Sequence, residues 1–266
     1  NYILTIYESR VKIKDLPFYF DLMNYIKSKG INCPQSISNN NDKRLETIKK
    51  KKLAIFTFIK GKCLDIWDKH DCYSVGKELG KLHSVSNEFK MVKKNDFGLR
   101  KWISIFKRVN GNVINLFPEI NLKISDELNF LKKNWKNTLP KGIIHADLFP
   151  DNVLFRHGKI SGIIDFYFSC VDSFIYDLCI TINAWCFKKK KFEYEYFTSL
   201  IRGYESERKI TSKEKLYFNT YLRGAAMRFL LTRLLDFNKK EKNFKKKDPL
   251  DFINILNFHI KNNLSW

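Results

Sequence analysis

Apolar residues recur along the chain in two rhythms. Residues 2–7, Tyr-Ile-Leu-Thr-Ile-Tyr, are a short run of aromatic and β-branched side chains that predicts a strand entered part-way. From about Asp15 the period lengthens, and Leu16, Tyr19, Phe20, Met23 and Ile26 share one face of a helix. Pro17 sits in its first turn and Gly30 ends it. Asn39, Asn40 and Asn41 mark a loop, and residues 44–48 and 53–59 then read as two strands joined by a lysine-rich turn. The second of these is almost wholly apolar, which predicts a buried strand running out into a connector at Gly61.

Helical spacing returns with Cys72, Val75, Leu79 and Leu82, and it continues through 99–115 and 125–135. A short apolar strand is expected at 142–145, and two more at 153–156 and 160–164 around a turn at His157 and Gly158. Beyond Asp165 the pattern is helical at about 173–187, 192–204, 212–237 and 249–261. The order predicts an α+β protein of two lobes around a cleft. Residues 1–60 form a small, strand-rich lobe, and 61–266 form a larger helical lobe holding a small sheet. No apolar run approaches eighteen residues, so no membrane helix is expected. The opening residues show neither an initiating Met nor a signal-peptide pattern, so the chain is expected to begin inside a longer protein.

A net charge of +21 first suggests a polyanionic partner. The lysine runs at 49–52, 188–191 and 245–247, however, flank hydrophobic segments where solvated turns are expected. The excess of Lys, Asn, Ile, Phe and Tyr is also what an AT-rich genome writes. Drift on an exposed surface is the weightier reading, and no nucleic-acid partner is expected. The six cysteines form no C-x-x-C pair and no zinc spacing, which suits free thiols in a reducing cytoplasm.

The chemistry concentrates between His145 and Asp165. Phosphoryl transfer needs one carboxylate to orient the attacking hydroxyl and accept its proton, and hard oxygen donors for Mg²⁺. Asp147, Asn152 and Asp165, on loops after short apolar strands, supply those groups. Asn152 follows Asp147 by five residues and Asp165 follows it by eighteen. Taken singly, each has a duller explanation as a turn, cap or core residue. As a set at this spacing they resemble the catalytic and metal-binding segments of protein kinases, with Ala146 and Tyr167 standing where those enzymes have Arg and Gly.

The wording of the motifs narrows this further. His-Ala-Asp-Leu-Phe-Pro-Asp-Asn from His145, Gly-Ile-Ile-Asp-Phe-Tyr from Gly162, Tyr-Asp-Leu-Cys from Tyr176 and Leu-Arg-Gly-Ala-Ala-Met-Arg-Phe from Leu222 closely resemble the bacterial homoserine kinases of the aminoglycoside-phosphotransferase-like group. So do Leu-Pro-Phe-Tyr-Phe-Asp-Leu-Met from Leu16 and Lys-Asp-Pro-Leu-Asp-Phe from Lys247, so the likeness spans essentially the whole chain. The resemblance implies a protein-kinase-like fold and the Mg²⁺- and ATP-dependent conversion of L-homoserine to O-phospho-L-homoserine. It makes Asp147 the base and Asn152 and Asp165 the magnesium ligands. His145 orients the loop from behind, and Asp177 anchors the loop below.

Two parts of that pattern are altered. The family's N-terminal hairpin over the phosphates is expected to lie before residue 1, and Thr5 falls where protein kinases carry a phosphate-anchoring lysine; Lys12 and Lys14 are nearby substitutes. The connector backbone at Phe58 and Ile59 is expected to meet the adenine. Arg228, with Asn183 beside it, is expected to receive the amino-acid acceptor, the alternative for Arg228 being an internal ion pair with Asp172 or Asp177. Other acceptors for the same fold are choline or ethanolamine, methylthioribose and aminoglycosides. No acidic cluster among the C-terminal helices speaks for the aminoglycosides. A basic binding protein gives no reason for the three spaced site residues, and an inactive fragment is the third alternative.

Overall fold

The computed structural model describes residues 1–7, 11–116, 118–237 and 248–265, and no side chain between 110 and 122. Strand β1 (Tyr2–Tyr7) pairs antiparallel along its length with β4 (Lys51–Thr57), Tyr2 facing Thr57 and Tyr7 facing Lys52. Short strands β2 (Ser36–Ile37) and β3 (Glu46–Ile48) also pair with β4. Helix α1 (Leu16–Ser28) covers one face of this sheet. Its Leu16, Leu22 and Ile26 are fully buried, and each such burial stabilises by about 1.5–3 kcal/mol. Phe20 meets Phe56 of β4 edge-on at 5.6 Å. The expectation of a buried strand is corrected here: Ala54 and Phe56 are buried, while Ile55, between them, points to the uncovered face, and Phe58, just past the strand, is exposed.

Two of the lysine runs make two-residue hairpin turns. Lys49 and Lys50 connect β3 to β4 with φ of 47° and 64°. Lys189 and Lys190 connect β9 (Phe187–Lys188) to β10 (Lys191–Phe192) with φ of 47° and 68°. Positive φ at both central residues gives the turn whose twist matches the flanking strands. All four lysines are exposed. The run at 245–247 lies outside the described residues.

The remainder is mostly helical: α2 (Lys69–Val85), α3 (Leu99–Leu116), α4 (Pro118–Asn134), α5 (Phe174–Trp185), α6 (Tyr194–Glu207), α7 (Ser212–Phe237) and α8 (Leu250–Lys261). Asp68 caps α2, accepting from the His70 and Asp71 amides while Asp71 reaches back to the Asp68 amide. Helices α2 and α6 approach so closely at Gly76 and Gly203 that a Cβ on either would lie 2.0 Å from a backbone oxygen of the other helix. Between α4 and α5 run β5 (Lys141–Ile144) with β8 (Cys170–Ser173), and the hairpin β6 (Val153–Arg156) with β7 (Lys159–Ile163). The connector after β4 joins this second region through paired amides of Lys62 and Phe155. Among the described residues no helix is long and apolar enough to cross a membrane.

Candidate active site

The segment after β5 carries His145 to Asn152, and the segment after β7 carries Asp165. Ala146 adopts φ of 64°, a left-handed backbone that a residue with a Cβ takes at a cost of about 1–2 kcal/mol. Charged groups hold the peptide units on both sides of it. Asp177, on α5, accepts the amides of His145 at 2.7 Å and Ala146 at 2.8 Å. Arg228, on α7, donates through Nη1 to the Ala146 carbonyl. Next along, the Leu148 carbonyl accepts from the Trp185 indole at 2.9 Å.

Asp177 is itself fully buried. Burial alone would raise its carboxyl pKa, but the hydrogen bond from His83 and the neighbouring imidazoles hold it below the usual range. Burial also depresses His83, so the neutral ring donates from Nε2 to Asp177 and accepts at Nδ1 from the Tyr204 hydroxyl at 2.8 Å. Tyr204 accepts from Arg208, which pairs with the buried Glu214. A continuous polar chain therefore runs from the loop through α2 and α6 to α7.

His145 lies behind the loop. Its Nδ1 accepts the Asp147 amide at 3.2 Å and its Nε2 donates to the Ile164 carbonyl at 3.0 Å. Burial lowers its pKa, and its ring packs 4.7 Å from that of Phe166. Asn152 donates from Nδ2 to the Asp147 carbonyl at 2.7 Å and to the Asp147 carboxylate at 3.2 Å. The Ile164 amide in turn donates to the Asn152 carbonyl, so the two loops are stitched together one residue before Asp165. Asp165 adopts φ of 63° and ψ of 59°. Desolvation raises its carboxyl pKa, although the residue is exposed, against the pull of nearby His145 and of the Tyr167 amide. It lines a cavity of about 410 Å³ with Tyr19, Lys93, Phe97 and Phe168.

A carboxylate whose pKa is raised by desolvation gains from a cation, and Asp165 is exposed at its cavity, where one can reach it. Asn152 keeps its Oδ1 outside the hydrogen bonds to Asp147. Carboxylate and amide oxygens are the donors Mg²⁺ prefers, and Mg²⁺ takes only one or two protein ligands where phosphate and water complete its shell. Among the described residues no group of three or more His, Cys, Asp or Glu gathers, so any larger all-protein cage is absent there. The residues present fit the ion.

The other expected residues scatter around this centre. Thr5 lies on β1 opposite Ala54. Phe58 is exposed and its amide meets the Asn1 carbonyl, while Ile59 packs over Gly162. Arg228 is buried among Phe97, Phe168 and Phe229, has no carboxylate partner among the described residues, and keeps its Nε without an acceptor. Asn183 borders a second cavity of about 660 Å³ beside Phe149 and Asp151, with its amide bonded to the Leu222 carbonyl and to His259. Sequence reasoning passed over His83, Tyr204 and Arg208. His83 did leave a signal: it falls four residues after Leu79, on the apolar stripe of α2, where a polar side chain needs a buried partner.

Comparison with known proteins follows the same lines. The profile of the phosphotransferase enzyme family matches residues 1–210. A homoserine kinase of Beijerinckia indica subsp. indica is 41% identical over 261 residues, covering 97% of this chain and 81% of the relative. One from Xanthobacter autotrophicus is 38% identical over 262 residues, covering 97% and 82%. Among solved structures, an amicoumacin kinase in complex with AMP-PNP and Ca²⁺ superposes with a TM-score of 0.73 at 16% identity, covering 98% of this chain and 81% of that one. The small antiparallel sheet and the mostly helical region are thus those of the protein-kinase-like phosphotransferases.

Proposed function

The chain belongs to the homoserine kinases of the phosphotransferase enzyme family, and we propose that it moves the γ-phosphoryl of ATP to the side-chain hydroxyl of L-homoserine, a step towards threonine. The observation that carries this reading is the Asp147–Asn152 contact, stitched to the segment bearing Asp165, on a loop gripped from both sides by Asp177 and Arg228.

Asp147 is the base. Its Oδ2 is oriented by Asn152, and the carboxylate orients the acceptor hydroxyl and takes its proton as the phosphoryl group departs. Asn152 and Asp165 are the residues that would hold Mg²⁺, which when bound neutralises charge on the phosphates. His145 keeps the Asp147 amide and the Asp165 loop in register. Thr5 faces the nucleotide from β1, and the backbone at Phe58 and Ile59 meets the base. The unpaired Nε–H of Arg228 is the donor we assign to the acceptor's carboxylate, and Asn183 shapes a wall of the neighbouring cavity. Cysteines that are free and, Cys63 apart, buried suit a cytoplasmic enzyme.

ADP release with Mg-ATP and a panel of L-homoserine, L-serine, choline, ethanolamine and methylthioribose tests this. Turnover is expected with homoserine and should fall by about 10²–10⁴-fold in Asp147→Asn. Preference for another acceptor would retain the chemistry and discard the substrate; turnover undiminished in the variant would discard the base.

A further inference from the structure

Asp165 is followed by two anchored aromatic residues. Phe166 packs on His145, within the helical region. Tyr167 reaches the other way: its hydroxyl lies 2.8 Å from that of Tyr7, the last residue of β1, and its ring meets the edge of Tyr19, on α1, at 5.4 Å. The Tyr7 and Tyr167 rings are themselves edge-on at 5.6 Å and 81°. The backbone amide of Tyr167 lies near enough to the Asp165 carboxylate to lower its pKa. Strand, helix and carboxylate are therefore joined through one residue.

We propose that the Tyr7–Tyr167 hydrogen bond is a positioning device that couples strand β1 to the metal-binding carboxylate of Asp165. The proposal rests on reading Asp165 as a magnesium ligand. Its logic is geometric. A non-glycine residue at φ of 63° keeps that conformation only where its neighbours fix it. The Ile164 bonds to Asn152 and His145 fix the side before it, and Phe166 with the Tyr7–Tyr167–Tyr19 cluster fixes the side after it. Thr5 and Tyr7 are two residues apart on the strand and share a face. The strand that faces the nucleotide thus also sets the aim of the metal ligand. In protein kinases a Lys–Glu ion pair ties strand to helix and must be in place for activity. Here Thr5 stands at the lysine position, and half-buried hydroxyls and ring edges make the tie.

Tyr7→Phe and Tyr167→Phe each delete one hydroxyl and keep the ring. Mn²⁺ binding to the enzyme with AMP-PNP, followed by electron paramagnetic resonance, reads the site without turnover. Each variant is expected to weaken Mn²⁺ binding by roughly fivefold, the equivalent of one net hydrogen bond. The Mg²⁺ half-saturation of turnover should rise by the same factor, with KM for the acceptor unchanged. The double variant should be no worse than either single, because both remove the same bond. Mn²⁺ affinity unchanged within about twofold in both variants would overturn the coupling, as would a double variant equal to the product of the singles, roughly 25-fold. Asp165→Asn separates the two layers. If it loses Mn²⁺ while the tyrosine variants do not, only the coupling fails; if it binds Mn²⁺ normally, the metal reading falls and takes the coupling with it.

Discussion

The catalytic loop and strand β1 are both short, and they are held in opposite ways. Along the loop, the His145, Ala146 and Asp147 amides and the Ala146, Asp147 and Leu148 carbonyls all meet side chains, drawn from α5, α7 and the loop itself. Strand β1 pairs through its backbone with β4, and Tyr2, Leu4 and Ile6 project into solvent. Only its last residue, Tyr7, is buried. The difference follows from the chemistry we propose for each part. A base must hold one orientation to within fractions of an ångström, so its peptide units are gripped individually. A strand that bounds a nucleotide needs only its register, which a ladder of backbone bonds supplies.

The sharpest way to break the comparison is Asp177→Ala. It strands two loop amides and the His83 Nε2–H in the interior, and removing one member of such a buried polar network costs about 3–5 kcal/mol. Denaturant unfolding should show that loss, and Asp177→Asn should lose less because one acceptor oxygen remains. Destabilisation by less than about 1 kcal/mol would mean that the loop is held by Arg228 and Trp185 alone.

A smaller effect concerns pH. Burial depresses the pKa of His83 and His145 below the ordinary value of 6.5, and that of His259 to about 3. The unfolded chain therefore binds protons below pH 6.5 that the folded chain refuses. Stability is full above that pH and declines as pH falls, by up to about 1.4 kcal/mol per unit for each histidine. Asp165 and Asp172, which desolvation holds high, act in the opposite sense where they titrate, so the His83 contribution is read by comparison with its variant. His83→Gln should flatten the slope of unfolding free energy against pH by up to one proton; an unchanged slope would show that His83 titrates alike in both states.

What the sequence made legible follows the same divide. Asp147, Asn152 and Asp165 are close in the chain, and their strand–loop–strand setting is local, so spacing alone placed them on adjoining loops. The grip on them is not local. Asp177 is 32 residues from His145 and Arg228 is 82 from Ala146, so spacing does not connect them; Asp177 was legible as the loop's anchor only through its motif, and the Arg228 contact to Ala146 was not. Strand β8 escaped notice because its four residues form a strand only by pairing with distant β5. At 188–191 the sequence predicts a lysine-rich turn between two helices; the structure puts a turn there, but Phe187 and Phe192, expected at helix ends, pair as strand instead. For β4, apolar composition suggested a buried strand, whereas α1 covers one face.

The smallest expected effect tests the strand's side of the comparison. Leu4 is 57% exposed and lies opposite Ile55, itself on the uncovered face. Leu4→Ser removes apolar surface already in contact with water, so the change in unfolding free energy should stay within about 0.5 kcal/mol. The backbone ladder to β4 does not depend on the side chain, and Tyr7 keeps its link to Tyr167. Set beside Asp177→Ala, the result distinguishes two kinds of order. If Leu4→Ser is nearly neutral, strand register and loop geometry are specified separately, one by backbone pairing and the other by buried charge. A loss of 2 kcal/mol or more, well outside about 0.5 kcal/mol for an exposed site, would mean that this face of β1 is covered in solution.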